Sequence, residues 1–238
     1  MTVLASLFDG IPLADVEFWL EHGGAVQESP LTGGRRVLER PSWRWRCVMV
    51  FEDLRGLNLR KVEAGLNRLR GPVNHAELYD PRRQTPLGDA RSLDDYGADL
   101  GTTYFSDATT FDDGTGFDEG LAGTPSVAGA DQTGETLLTD GWAPGVTGIL
   151  RQGDRISLGD NRLHEVSVDA DSDAMGRATL TIAPPLVLAP EDNQAISTLR
   201  PTAYFTLTDN QQGRNQSKPG LLGGRANMTI NFVQDIQA

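Results

Sequence analysis

The sequence has 238 residues, of which 38% are hydrophobic, and this is enough for one large or two small domains with a real core. Its 33 acidic and 21 basic residues give a formal net charge of -12, which argues against a general nucleic-acid-binding protein because neutralising phosphates requires a surplus of Lys and Arg. The single cysteine excludes an internal disulfide and a cysteine-rich metal site. The N-terminus lacks the features of a signal peptide and no stretch approaches the roughly 20 apolar residues of a membrane span, so we expect a soluble protein made in the cytoplasm.

The first elements predicted along the chain are short strands. Runs at 16–21 and 35–40 are separated by glycine pairs and indicate hairpins. The segment Trp43 to Phe51 begins with a strict alternation and then loses its polar residues, which predicts a strand that enters the middle of a sheet covered on both faces. Cys47 lies in this strand, so we interpret it as a buried and inert thiol.

One helix is predicted over residues 58–70. Its apolar residues recur at helical spacing, Asn58 is a suitable N-cap, and Gly71-Pro72 is a stop signal, after which a strand is predicted over 73–79. The opposite side of this helix is basic and faces solvent or a partner. Its candidate interface residues are Arg60, Arg68 and Arg70.

Almost all of the net charge lies between Asp89 and Asp140. This stretch contains twelve acidic residues and one basic residue, and its Gly, Thr, Ser and Asp content shows no sustained period. Loops of this length are uncommon inside compact domains, so we interpret residues 89–140 as an extended acidic arm. Its candidate contact residues are Asp112, Asp113, Asp118 and Glu119.

The C-terminal half is predicted to be β-structure. Short runs at 149–151, 154–158, 162–168 and 177–182 have the spacing of a small OB- or SH3-like barrel over 141–198, closed by Pro184-Pro185 and Pro190. Strands are also predicted at 203–208 and 226–232, and the last should pair back into the N-terminal sheet. The predicted fold is mainly β: a discontinuous β-sandwich with one α-helix over 1–88 and 199–238, interrupted by the arm and the barrel.

No constellation in the sequence carries a recognisable chemistry. Asp169, Asp171 and Asp173 imitate the start of a calcium loop, but Ala174 and Leu180 stand where an EF-hand needs Gly and Glu. The three histidines, His22, His75 and His164, lie singly in separate strand-like segments and have no ligand-spaced neighbours. We therefore expect no catalytic residues, no bound metal and no cofactor.

Several short motifs recur in an order that resembles a known family. They are Trp43 to Phe51, Leu69-Arg70-Gly71, Leu78-Tyr79-Asp80-Pro81, Gly153-Asp154-Arg155-Ile156, Leu163-His164-Glu165-Val166, Gly176 to Leu180, and Pro184-Pro185-Leu186. In this order the sequence resembles the distal tail proteins of long, non-contractile-tailed bacteriophages and of phage-like gene transfer agents. The resemblance covers roughly residues 35–81 and 141–208.

This resemblance implies a structural virion protein rather than an enzyme. It implies a ring, commonly a hexamer, at the distal end of the tail tube, in contact with the tail tube protein and with hub or baseplate proteins that carry host recognition. DNA would then pass only through the central channel, with no membrane insertion, and the acidic arm would either pack on a neighbour or face that channel. Two alternatives stay open: a carbohydrate-binding or carbohydrate-cleaving β-sandwich protein, and a tail-tube or tube-end protein.

Overall fold

The computed structural model describes residues 2–4, 7–8, 10–39, 43–90, 124–159, 162–210, 212 and 225–236. The strands in this part of the chain are β1 (Val3–Leu4), β2 (Asp15–Glu21), β3 (Gly24–Glu28), β4 (Arg35–Glu39), β5 (Arg44–Leu54), β6 (His75–Tyr79), β7 (Ser126–Val127), β8 (Gly134–Asp140), β9 (Arg155–Leu158), β10 (Arg162–Val166), β11 (Ala178–Leu186), β12 (Ile196–Ser197), β13 (Thr202–Leu207) and β14 (Ala226–Gln234). One α-helix, α1 (Gly56–Leu69), lies between β5 and β6.

The chain forms two compact units. The framework unit combines Met1–Pro81 with Thr202–Ala238, and the inserted unit is Arg82–Pro201. A mainly β, sandwich-like fold with one helix and an inserted barrel is therefore confirmed for the described residues.

The framework unit is built around a six-stranded sheet in the order β1-β6-β13-β14-β5-β2. Strand β14 pairs antiparallel with both β13 and β5, which confirms that the last strand returns to the N-terminal sheet. Alternation along β5 and β14 places Trp45, Phe51 and Phe232 on one buried face. Burial of each such side chain contributes about 1.5–3 kcal/mol.

The helix covers this buried face. Val62, Leu66 and Leu69 are buried, and a Cβ at Gly65 would lie 3.2 Å from the side chain of Leu7. The neighbouring ring of Phe8 packs on Phe51 and Phe232, with centroid distances of 5.7 and 6.0 Å. The helix therefore meets the sheet across the N-terminal turn, and the opposite face of the sheet is left uncovered by it.

Two details of the framework differ from the prediction. Asn58 is not the N-cap, because the helix begins at Gly56 after Arg55 and has no side-chain cap. The strand predicted at 73–79 begins at His75, since Gly71–Val73 form a 3₁₀ turn. The helix nevertheless ends at Leu69 before a left-handed Arg70, as the Gly71-Pro72 signal predicts.

The inserted unit is a second six-stranded sheet in the order β12-β9-β10-β11-β8-β7. Its two edges approach each other, because Ser126 bridges Ala195 and the Val127 N–H donates to the Gln194 carbonyl over 2.9 Å. The sheet is therefore a nearly closed small barrel, as predicted. Its apolar interior includes Trp142 and Leu180.

The predicted boundaries of this unit are wrong at both ends. The Ala90 N–H donates to the Ile149 carbonyl over 2.8 Å, so the first residues of the predicted arm already belong to the barrel. Residues 134–140, predicted as arm, form β8 between β11 and β7. The unit thus spans 82–201 rather than 141–198, and the framework segments end at Pro81 and resume at Thr202.

Two predicted barrel elements also change. Residues 149–151 form no strand, since Leu150 makes only a single bridge to Ala170. Strand β11 continues through Pro184-Pro185 to Leu186, where the prediction placed a stop. Its pairing with β8 is irregular between Thr181 and Leu186, and such irregular pairing tolerates prolines, which cannot donate to a ladder.

The described helix is not a membrane span, being too short and too polar to cross a bilayer.

Candidate assembly surfaces

The uncovered face of the framework sheet carries a mixed apolar and acidic surface at its β2 edge. Asp15, Glu17 and Trp19 lie on this face opposite Val50, Val48 and Arg46 of β5. Trp19 is 40% exposed, while Val48 and Val50 are half-buried. We call Asp15, Glu17 and Trp19 the acidic edge. Among the described residues the helix lies only on the other face, so for this part of the chain the prediction that both faces of the sheet are covered is wrong.

The charges of the acidic edge are not neutralised by any described residue of the framework. Glu21, the next residue on this face, pairs with Arg46 over 2.7 Å. Asp15 accepts a hydrogen bond from the Val16 N–H over 2.8 Å, but in the described part of the chain neither Asp15 nor Glu17 forms an ion pair. The carboxylates of Asp15 and Glu17 thus lie on the same face of β2 as the exposed indole of Trp19.

Strands β3 and β4 form a separate two-stranded hairpin, which we call the arm hairpin. Val26 pairs with Val37 and Ala25 with Leu38, and the exposed fractions of Val26, Val37 and Leu38 are 53%, 62% and 57%. An isolated hairpin is marginally stable in water. Apolar side chains exposed on both of its faces indicate a surface that another polypeptide covers.

The base of the arm hairpin is anchored. The rings of His22 and Trp43 flank it and make an edge-to-face contact with centroids 4.4 Å apart. At the tip, the Gly33 N–H donates to the Ser29 carbonyl over 2.9 Å, and Gly33 adopts a left-handed φ of 63°. The base and the tip of the hairpin are therefore held by specific contacts, whereas the apolar side chains on its two faces are exposed.

The candidate interface residues on the helix lie where the periodicity predicts. Arg60 and Arg68 are exposed on α1, and Arg70 is exposed immediately after it. None of the three makes an ion pair with any residue that the structure describes. Leu57, at the start of the same surface, is 67% exposed. The other candidate contact residues, Asp112, Asp113, Asp118 and Glu119, lie outside the described residues.

The three aspartates that imitate a calcium loop have structural roles. Asp169 accepts hydrogen bonds from the Gln152 N–H and the Arg151 guanidinium, and both lower its pKa. Asp171 accepts one from the Gly148 N–H over 2.6 Å. The N–H groups of Arg177 and Met175 lower the pKa of Asp173. Each carboxylate therefore closes a loop.

The inserted unit buries a further carboxylate, to which the sequence analysis gave no role beyond the motif Gly153-Asp154-Arg155-Ile156. Asp154 is 4% exposed. Its Oδ1 accepts the Leu87 N–H over 2.7 Å, and its Oδ2 accepts the N–H groups of Gly88 and Arg151 over 3.1 and 2.7 Å. It thus joins the beginning of the unit to the turn before β9.

The histidines are in structural positions. His75 is buried and its Nε2 lies 2.9 Å from the Asp235 carboxylate. The Nδ1 of His164 lies 2.8 Å from the Pro184 carbonyl. Among the described residues there is no cluster of His, Cys, Asp and Glu that could hold a metal, and Cys47 is buried.

Burial lowers the pKa of His164 from 6.5 to about 4, so the stability of the protein should depend on pH through this residue. The unfolded chain takes up a proton below pH 6.5, whereas the folded chain stays neutral there down to pH 4. Stability is therefore lost as the pH falls through this window, by about 2 kcal/mol between pH 7 and pH 5. Urea unfolding at the two pH values measures the loss.

The comparison variant for this prediction is His164→Asn, whose amide can replace the Nδ1 donor but does not titrate. It should lose less stability between the two pH values than the wild type does. The control His22→Asn removes an exposed histidine and should keep the wild-type loss. Equal losses in the wild type and in His164→Asn would contradict the prediction.

Two cavities of the inserted unit differ in their lining. One, of about 320 Å³, is lined by Arg82, Arg83 and Arg155 with two threonines. The other, of about 920 Å³, is an open acidic depression. No aromatic residue of the described chain lines either cavity, and Trp142 is buried, with its Nε1–H donated to Thr139 Oγ1 over 2.7 Å. Trp142 is therefore a core residue and not a sugar-stacking platform.

Sequence reasoning missed the acidic edge and the exposure of the arm hairpin. The signal for the edge was present, because Asp15, Glu17 and Trp19 alternate with the buried Val16 and Phe18. What makes these residues a surface is the open face, which only the sheet pairing reveals. A comparison with protein families and with curated proteins finds no match for this chain.

Proposed function

We propose that this chain is a structural subunit that assembles into a ring, with a hexamer as the working stoichiometry, at the distal end of a non-contractile phage tail tube. Its partners are further copies of the chain, the tail tube protein, and hub or baseplate proteins. The ring surrounds the path of the DNA in the virion, and the subunit carries out no catalysis.

The observation that carries this proposal is the arm hairpin. Within the described part of the chain its apolar side chains are more than half exposed, although the same chain buries large apolar side chains elsewhere. A subunit that extends such an arm over a neighbour gains interface area economically. The order of motifs that resembles the distal tail proteins supplies the tail context.

Electron microscopy of the purified protein, with mass measurement, tests the proposal. Closed rings of uniform diameter support it. Long stacked tubes would support a tail-tube protein instead. A chain that stays monomeric at high concentration, also when mixed with tail tubes as a template, overturns the proposal. Glycan binding by that monomer would favour the alternative of a carbohydrate-binding protein.

Replacing the apolar pair of the arm hairpin should prevent assembly without unfolding the subunit. The double variant Val26→Lys with Val37→Glu places opposite charges on directly paired residues, which maintains the hairpin and leaves the net charge unchanged. Because the apolar surface is lost, we expect monomers in sedimentation or mass photometry, with an unchanged circular dichroism spectrum.

The matched control is Val168→Glu with Met175→Lys. These side chains are 57% and 76% exposed in the inserted unit, so the chemical change and the exposure are similar. The control should assemble like the wild type. Wild-type assembly of the hairpin variant would show that the arm hairpin is not an interface.

A further inference from the structure

We infer that the basic side of α1 in one copy binds the acidic edge of a second copy, and that this head-to-tail contact closes the ring. The inference rests on the proposed self-assembly and names the two surfaces that meet. It assigns the second copy as the occupant of the uncovered sheet face.

The helix presents a continuous stripe to the partner. Leu57, Lys61, Ala64 and Arg68 follow one another at spacings of four, three and four residues, and Arg60 lies beside them. All are exposed. Residues at these spacings share one face of a helix. The small Ala64 at the centre of the stripe allows a flat surface to approach the backbone.

The acidic edge is complementary to this stripe in charge and in polarity. Asp15 and Glu17 oppose the charges of Lys61 and Arg68, and Trp19 offers an apolar contact for Leu57. In the described part of the chain these four charged residues form no ion pairs, so a partner does not have to break existing ones. Complementary charges of this kind select the partner and fix its register.

The spacings also agree when the helix runs opposite to β2. Along the helix, Lys61 and Arg68 lie about 6 and 16 Å from Leu57. Along an extended strand, Glu17 and Asp15 lie about 7 and 14 Å from Trp19. With Leu57 against Trp19, each basic side chain therefore comes within reach of one carboxylate.

The positions of the two surfaces favour a ring over a symmetric pair. The helix covers one face of the sheet, and the acidic edge belongs to the other face. A contact between different surfaces on opposite sides of a subunit is heterologous, and such contacts generate rings when the rotation closes.

A charge-swap experiment on the full chain tests the pairing. Variant A carries Arg60→Glu, Lys61→Glu and Arg68→Glu, and variant B carries Asp15→Lys and Glu17→Lys. In each variant alone, like charges face each other across the contact, and this should lower the assembled fraction by roughly tenfold or more. A mixture of A and B restores opposite charges at every contact and should form mixed rings, which mass measurement identifies.

The control variant is Glu135→Lys with Glu191→Lys, two exposed acids of the inserted unit, which makes the same charge change as variant B and should assemble normally. Assembly of A or B alone, or no rescue on mixing them, overturns the inference while the ring function stands. A wild type that stays monomeric, also when mixed with tail tubes as a template, overturns both.

Discussion

Replacing Asp154 with alanine is expected to destabilise the inserted unit by about 3–5 kcal/mol. The substitution leaves the N–H groups of Leu87, Gly88 and Arg151 without their carboxylate acceptor, and each unsatisfied group that is out of water costs roughly 1–3 kcal/mol. The loss is large because one buried side chain closes two separate loops. Urea unfolding followed by circular dichroism measures it.

The control for this prediction is Asp192→Ala. Asp192 is exposed and, among the described residues, accepts a single hydrogen bond, from the Gly129 N–H over 2.7 Å, so its removal should cost about 1 kcal/mol or less. If the two alanine variants unfolded at the same urea concentration, the buried carboxylate would not be holding the unit together.

Replacing Gly176 with alanine should also destabilise the inserted unit strongly. Gly176 has a φ of 74°, and a Cβ built there overlaps the Trp142 carbonyl oxygen. The Trp142 N–H donates to the Gly176 carbonyl over 3.0 Å, so the two backbone segments are tied together and cannot separate cheaply. We expect a loss on the order of 3–5 kcal/mol, from backbone strain and overpacking together.

Gly145 provides a matched control for the steric part of this effect. It has a similar φ of 68°, but nothing lies within 4 Å of a Cβ built there. Gly145→Ala should therefore show only the cost of the left-handed backbone, about 1–2 kcal/mol. Equal unfolding free energies for the two variants would show that the contact with Trp142 relaxes.

The long periodic elements were predictable from the sequence because each buries one regular face. The alternation in β5 and β14 and the helical spacing in α1 survive in the structure with shifts of a few residues at their ends. Strand β8 was missed because its pattern is short and lies in a Gly- and Asp-rich stretch. Only Leu137 and Thr139 are buried in it, and Leu138 between them is 48% exposed.

The candidate surfaces were only half predictable. The basic side of α1 follows from sequence spacing, since the apolar residues of a helix fix where the others point. The acidic edge does not follow from sequence spacing, because the open face depends on which strands pair and on where the helix packs. The exposure of Val26 and Val37 does not follow from the sequence either, since a covered strand and an uncovered one share the same alternation.

The central position of β14 also determines the order in which the subunit can be completed. Strand β5 is synthesised early, but its partner β14 follows only after the whole inserted unit, whose strands all lie within 82–201. The barrel can fold from contacts within its own segment while the framework waits for a strand distant in sequence. A growing chain therefore cannot complete the framework sheet until the inserted unit has been synthesised, so the proposed ring would assemble only from finished chains.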